Sequence, residues 1–232
     1  MRVYRGRAAT VEADRAVSER LLDRVAESRD PAVRVWRPHR HVAFGRRDAN
    51  SGGYERAREL AADHGFPPVE RSVGGRAVAY TGRTVAFGRA TPIADPRSGL
   101  GDRYDAAIAD LRSALAALGV DAEAGEPPNS FCPGAHSLQA TGPDGRPGKL
   151  VGIAQRVRRR VALVAGVLVV DDHGTIADVL DPVYDALGVA FDPSSVGSVA
   201  LAGGECDRET VAREVESALV GDAAVSVERV DA

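Results

Sequence analysis

Apolar residues recur at the spacing of an amphipathic helix in several separate parts of the chain. In the first of these parts, Val11, Leu21 and Val25 lie along one stripe, with charged residues on the opposite face. Glycine follows the helical segments that end at His64 and Leu118, and glycine is typical of the position just after a helix. The pattern predicts helices over residues 11–26, 54–64, 104–118, 174–188 and 208–219.

A second set of segments has the patterns that are typical of strands, either alternating or continuously apolar. The segment 33–38, VRVWRP, alternates apolar with basic residues and stops at a proline. The segment 77–93 predicts two strands around a central Thr-Gly turn. Two further strands, 149–157 and 161–170, are expected to pair through the arginine-rich turn between them.

The order of these elements favours a mixed α+β fold. Helices and strands alternate without the strict strand–helix–strand rhythm of a doubly wound parallel sheet, and several neighbouring strands are predicted to be joined as hairpins. The sequence shows no internal repeat and no flexible linker of the kind that separates domains. We therefore predict a largely antiparallel mixed sheet with helices packed on it, in a single domain over residues 1–232.

The bulk composition is ordinary for a globular protein and excludes few classes of function. The chain has 232 residues, of which 44% are hydrophobic and 27% charged, and its net charge is −3. There is therefore no basic excess to indicate nucleic acid as a partner. The longest apolar run, 161–170, is too short to span a bilayer, and no apolar leader with a cleavage site opens the chain. We expect a cytoplasmic protein without nucleic-acid or membrane partners.

Lys149 is the only lysine in a chain that is otherwise rich in arginine. A GC-rich genome explains why lysine is rare, but not why it persists at this position. A lysine ammonium is a compact charge that can hold an oxygen atom or exchange a proton, unlike a guanidinium. Lys149 opens the strand 149–157, in which the small residues Gly152 and Ala154 leave one face open. The alternative is an exposed lysine at the start of a strand.

The segment RSVGGRAVAY, residues 71–80, contains the glycine pair Gly74-Gly75 between two strand-like runs. Adjacent glycines allow the backbone to approach a ligand closely and to present N–H groups to an anion. Arg71 and Arg76 flank the pair, and a guanidinium binds well to a carboxylate or a phosphate. The alternative is a hairpin turn with two solvated arginines.

The region 124–148 is rich in proline and glycine, which indicates loops without a long regular element. It contains Cys132 in a polar stretch. A nucleophilic cysteine requires partial exposure, so Cys132 is a candidate nucleophile and the nearby His136 a candidate base. The alternative is that Cys132 is passive. Cys206 lies next to acidic residues and is expected to be passive.

Two further patterns concern metal binding and docking. His39 and His41 could face the same side of a strand as metal ligands, but no third ligand accompanies them and no metal site is expected. In RVRRR, Arg156, Arg158 and Arg160 share one face of a strand. That face is either solvated or suited to an acidic protein partner.

The glycine and lysine segments together resemble the biotin/lipoate protein ligase superfamily, on its lipoate and octanoate side. Members carry RR-x-[ST]-GG-[GR]-AV-x-H followed by GrK-[ILV]-x-G-x-AQ-R, and this chain has ERSVGGRAVAY and GKLVGIAQRV. The resemblance covers most of the chain, from the first helix to the helix after strand 161–170. Glu70, Val73 and Tyr80 depart from the pattern, since they replace an arginine, a serine or threonine, and a histidine.

The resemblance implies a class II synthetase-like catalytic domain with a hydrophobic acyl tunnel beside the glycine pair. Long lipoate ligases carry a separate C-terminal accessory domain, and none is expected in this chain. The family pattern implies that Lys149 contacts the oxygen of the acyl carboxyl group and activates the carbonyl, while Arg71 faces the acyl head group. It implies further substrate contacts by Gly74, Gly75, Arg76, Ala77, Tyr80, Gly152 and Ala154.

The loop around Cys132 distinguishes the branches of this superfamily. NSFCPGAHSL looks like the SYCPG segment of amidotransferases, which pass octanoyl or lipoyl groups between carrier proteins through a cysteine thioester. We therefore expect transfer to a lysine of a lipoyl-domain or glycine-cleavage H-type carrier protein, without a cofactor. One alternative is a lipoate-protein ligase that uses ATP and Mg²⁺ and leaves Cys132 idle. Another is a non-catalytic module that binds acyl groups or lipoyl domains.

Overall fold

The structure is a computed structural model that describes residues 1–71 and 75–230. The helices are α1 (Val11–Ser28), α2 (Arg46–Ala49), α3 (Tyr54–Asp63), α4 (Leu100–Ala117), α5 (His173–Ala186) and α6 (Arg208–Val220). The strands are β1 (Arg2–Arg5), β2 (Ala32–Trp36), β3 (His41–Phe44), β4 (Pro68–Glu70), β5 (Val78–Tyr80), β6 (Val85–Pro92), β7 (Glu123–Ala124), β8 (Ser137–Thr141), β9 (Pro147–Val157), β10 (Val161–Leu168) and β11 (Ser226–Arg229).

Within the described residues, the strands form one sheet of eight strands and one of three. The order of the large sheet is β11-β1-β2-β6-β10-β9-β8-β7, and that of the small sheet is β4-β3-β5. Most pairs are antiparallel; the parallel ones are β1 with β2 and β11, and β3 with β4. The predicted α+β fold with a largely antiparallel mixed sheet is confirmed.

The central strand β2 shows that both faces of the large sheet are covered. Val33 and Val35 belong to a core with α4 and α6, whereas Ala32 and Arg34 contact α1 on the other face. Arg34 is 1% exposed, and its guanidinium pairs with the carboxylate of Asp14 at 2.5 Å. Because a buried cation requires such a partner, this pair fixes α1 on the sheet.

The five helices predicted from apolar spacing are all present. α1 begins where the Thr10 hydroxyl accepts a hydrogen bond from the N–H of Ala13 at 3.1 Å, and it runs to Ser28 rather than to residue 26. α3 ends before Gly65, which has φ +74° as expected after a helix. None of the helices in the described residues is both long and apolar enough to cross a membrane.

The hairpin predicted within residues 77–93 is wrong. β5 and β6 do flank a turn at Thr81-Gly82, and Gly82 has φ +82°. However, β5 pairs with β3 in the small sheet, and β6 pairs with β2 and β10 in the large sheet. The chain therefore changes sheets at this turn.

The strands predicted over 149–157 and 161–170 are confirmed as the antiparallel pair β9 and β10, with Ala154 opposite Ala165. The region 124–148 is more regular than its composition indicates, because it contains β8 and the first residues of β9. β8 pairs with β9 through a β-bulge, where the partners of Leu138 and Gln139 are two residues apart on β9. The short strands β1, β3, β4, β7 and β11 were not predicted.

Candidate active site

A cavity of about 620 Å³ is lined by residues of both sheets, of α1 and of the loop that contains Cys132. Its volume lies within the roughly 300–1,000 Å³ of small-molecule pockets. Much of its wall is apolar, formed by Ala43, Val78, Ala86, Phe87, Phe131, Ile153, Ala165, Gly166 and Val167. Cys132 and Lys149 line the same cavity. It therefore suits a ligand with an apolar tail and a polar, reactive head.

The sulphur of Cys132 lies against hydrogen-bond donors from the glycine segment. It accepts a bond from the backbone N–H of Arg76 at 3.3 Å, and the Arg71 guanidinium lies 3.5 Å away. The cysteine is half-buried and free of any disulfide. A cation and an N–H group at this distance stabilise a negatively charged sulphur.

Arg71 is held in place at both ends. Its backbone N–H donates to the carbonyl of Phe44 at 2.9 Å, and its guanidinium donates to the carbonyl of Arg76 at 2.5 Å. Burial alone would lower the pKa of Arg71, but the neighbouring Cys132 and Tyr80 outweigh it, so that the pKa is raised. Arg71 is therefore a fixed cation beside the sulphur.

Gly75 leaves the space that this arrangement requires. It has φ +94°, and a methyl group added there would lie 2.9 Å from the Cys132 sulphur and 2.8 Å from the Arg71 guanidinium. Both the backbone conformation and the close approach therefore favour glycine.

Gly75→Ala is expected to lower the reactivity of Cys132 by roughly tenfold or more, because it displaces the sulphur or the guanidinium from its contact. The measurement is the rate of iodoacetamide alkylation at Cys132. Gly65→Ala is the matched control, since Gly65 also has positive φ (+74°) but open space for the methyl group. Equal alkylation rates in the two variants would contradict the close contact at Gly75.

Lys149 owes its direction to the bulge between β8 and β9. With regular alternation, Lys149 and Gly152 would point to opposite faces of the sheet, whereas the extra residue of the bulge brings them together. A side chain at Gly152 would begin 3.4 Å from Cε of Lys149. Gly152, which was predicted to leave one face of the strand open, therefore makes room for the side chain of Lys149.

The side chain of Lys149 is 1% exposed, and its ammonium holds the cysteine loop. Its nitrogen donates to Oε1 of Glu126 at 2.8 Å, to the carbonyl of Phe131 at 3.0 Å and to the carbonyl of Cys132 at 3.1 Å. Glu126 also accepts a hydrogen bond from Ser130. Because an ammonium has three N–H groups, Lys149 must exchange one of these bonds to contact a substrate oxygen.

The other predicted substrate contacts have different outcomes. Tyr80, Gly152 and Ala154 line the cavity with Arg71, and the Tyr80 ring stacks on His41 at 4.5 Å. The side chain of Arg76 instead pairs with the buried Asp48 at 3.2 Å, so that only its backbone reaches the sulphur. Ala77 is buried in the core, and Gly74 lies outside the described residues.

Two residues of the site, Glu126 and Tyr184, were not predicted. The hydroxyl of Tyr184 accepts a hydrogen bond from the N–H of Cys132 at 2.6 Å. Tyr184 lies on the apolar face of α5, so its spacing indicates only a core residue. Glu126 could have been found, because a functional lysine that is buried requires a carboxylate partner and Glu126 is the acid of the loop before Cys132.

The remaining candidate residues make other contacts. His136 stacks on Tyr104 and makes no hydrogen bond to Cys132 in the described residues, and Cys206 packs against the core. His39 and His41 each bond to a backbone carbonyl. The described residues contain no group of three or more histidine, cysteine, aspartate or glutamate side chains arranged to hold a metal ion.

The prediction that Arg156, Arg158 and Arg160 share one strand face is wrong, because β9 ends at Val157 and only Arg156 lies on it. Residues of α1 partly neutralise these arginines. Arg156 pairs with Glu19 at 2.5 Å, and Arg158 pairs with Glu19 and with Asp23. Arg160 is exposed. Arg156 and Arg158 therefore anchor α1 and do not form a free solvated face.

Residues 11–220 match the model of the lipoyl protein ligase A/B catalytic domain. Two curated relatives are both octanoyl-[GcvH]:protein N-octanoyltransferases. The one from Exiguobacterium sibiricum is 33% identical over 57% of this chain and 46% of its own length. The one from Geobacillus kaustophilus is 30% identical over 64% of this chain and 51% of its own length. The chain thus matches about half the length of these relatives.

The fold is that of a solved structure from Thermoplasma acidophilum, a putative lipoate protein ligase with bound lipoic acid. The two superpose with a TM-score of 0.69 over 98% of this chain and 87% of the other, at 17% sequence identity.

Proposed function

The chain belongs to the lipoyl protein ligase A/B catalytic domain family, and we propose that it transfers an octanoyl or lipoyl group to a lysine of a carrier protein. The acceptor is of the lipoyl-domain or glycine-cleavage H type. The octanoyltransferase relatives support this class of reaction. The observation that carries the proposal is that Cys132 and Lys149 line one largely apolar cavity, where the Cys132 sulphur lies beside Arg71 and the Lys149 ammonium holds the Cys132 carbonyl.

The first step forms an acyl-enzyme. The anionic sulphur of Cys132 attacks the carbonyl carbon of the donor, and the bond from that carbon to the donor's sulphur or nitrogen breaks. A donor thiolate or amine leaves and takes up a proton from water. Arg71 and the N–H of Arg76 stabilise the sulphur before the attack.

The second step transfers the acyl group to the acceptor. The neutral amine of the acceptor lysine attacks the thioester carbonyl, the new amide C–N bond forms, and the C–S bond breaks to return the thiolate of Cys132. The surplus proton of the amine passes to water. In both steps Lys149 exchanges its bond to the Cys132 carbonyl for one to the developing oxyanion.

Two exposed arginines, Arg159 and Arg160, lie next to the ion pairs that join Arg156 and Arg158 to α1. They are available to contact a partner protein. Exposed cations steer an acidic partner during encounter and contribute less to its final affinity. Acidic lipoyl domains are the partners that this surface would favour.

The expected result of a direct comparison is transfer from an octanoyl carrier protein without ATP, and none from free lipoate with ATP and Mg²⁺. The readout is acylation of a lipoyl-domain acceptor by mass spectrometry, because a thioester donor already carries an activated carbonyl. Lipoylation that requires ATP and persists in Cys132→Ser would favour the ligase alternative. A protein that binds the octanoyl carrier without turnover, with the same affinity in Lys149→Arg, would favour a non-catalytic module.

A further inference from the structure

We propose that Tyr184 is a positioning residue that holds the sulphur of Cys132 against its donors. Tyr184 lies on α5, is 0% exposed, and is not among the residues that line the cavity. It therefore acts through Cys132 and touches no substrate. The effect on the reactivity of Cys132 does not depend on the proposed function. Only the expected effect on acyl transfer rests on it.

The hydroxyl of Tyr184 joins the two segments that meet at the sulphur. It accepts a hydrogen bond from the N–H of Cys132 at 2.6 Å and donates one to the carbonyl of Ala77 at 2.9 Å. Ala77 directly follows Arg76, whose N–H contacts the sulphur at 3.3 Å. One hydroxyl thus fixes the nucleophile and its backbone donor relative to each other.

The hydroxyl can serve in both bonds because it stays protonated. Burial raises the pKa of Tyr184 well above its ordinary value, and the neighbouring Cys132 raises it further. A neutral phenol donates through its hydrogen and accepts through its oxygen.

The backbone of Cys132 requires such a restraint. Its φ is +42°, in the left-handed region that a residue with a side chain rarely adopts. The bond from its N–H to Tyr184 and the bond from Lys149 to its carbonyl hold the residue from both sides. Without the hydroxyl, the loop can relax to negative φ and carry the sulphur away from Arg76 and Arg71.

Tyr184→Phe separates this role from simple packing. Phenylalanine keeps the ring, including its contact with the ring of Phe191 at 5.0 Å, and removes only the two hydrogen bonds. Tyr4→Phe is the matched control, because Tyr4 is a buried tyrosine whose hydroxyl contacts Arg24 away from the cavity.

The test is the rate of iodoacetamide alkylation at Cys132 at neutral pH, measured in a Cys206→Ser background without any acyl substrate. For Tyr184→Phe we expect an alkylation rate at neutral pH that is lower by about tenfold or more, because the sulphur leaves its contacts with Arg76 and Arg71. Tyr4→Phe is expected to match the parent. Equal alkylation rates in Tyr184→Phe and the parent would overturn the proposal.

A kinetic readout then links positioning to transfer. With an octanoyl carrier as the donor, Tyr184→Phe is expected to lower kcat while KM for the donor changes by less than about twofold. A rise in KM at constant kcat would contradict a positioning role. If the parent protein transfers no acyl group, the proposed function fails, while the alkylation result still decides the role of Tyr184.

Discussion

Cys132→Ala is expected to lower acyl transfer by about 10³-fold or more, because the proposed mechanism has no other nucleophile to form the acyl-enzyme. The loss should appear in kcat, with the donor still bound by the apolar wall of the cavity. The measurement is the steady-state transfer of octanoyl from a carrier protein to a lipoyl-domain acceptor.

Cys206→Ala is the matched control, since Cys206 packs against the core away from the cavity and its loss should leave transfer unchanged. An unchanged rate in Cys132→Ala would exclude the covalent scheme. In that case the cavity would have to serve direct transfer or adenylation, and Cys132 would be idle.

Lys149→Met is expected to lower transfer by more than about 100-fold and to lower the free energy of unfolding by about 3–5 kcal/mol. The change removes a buried ammonium and leaves Glu126 and the carbonyls of Phe131 and Cys132 without their donor. Transfer assays and denaturant unfolding measure the two losses separately. Lys149→Arg should also be impaired, because a planar guanidinium does not fit a buried site shaped for one nitrogen.

A second substitution separates the chemistry of Lys149 from its structural role. In the double variant Lys149→Met/Glu126→Gln, the uncompensated carboxylate is gone, so that part of the lost stability should return. If Lys149 stabilises the oxyanion, transfer remains low in the double variant. If transfer returns together with stability, Lys149 acts only by holding the cysteine loop.

Local patterns in the sequence were sufficient for the five long helices and for the pair β9 and β10, but not for the single turn of α2. Their spacing of apolar residues and their capping residues act within a few positions of the chain. The pairing within residues 77–93 could not be read in the same way, because β5 and β6 both have strand patterns. Which strand each one pairs with depends on residues far away in the chain, on β3 and on β10.

The candidate site was likewise predictable where it depends on local sequence and not where it depends on distant residues. Arg71, Gly75, Cys132 and Lys149 were chosen from the sequence, and the structure brings all four within contact of one another or of a shared loop. The bulge that turns Lys149 toward that loop has no signature in the local sequence. The bond from Cys132 to Tyr184 joins residues 52 positions apart, which no local pattern could indicate.

The most direct test of the proposed chemistry is the intact mass of the protein after incubation with an octanoyl carrier protein, in the absence of ATP and of an acceptor. We expect a mass increase of one octanoyl group, located on the peptide that contains Cys132 and removed by hydroxylamine as expected for a thioester. The same experiment with Cys132→Ala should give no adduct. An unmodified protein that nevertheless transfers octanoyl once the acceptor is added, at the same rate with and without Cys132, would contradict the acyl-enzyme.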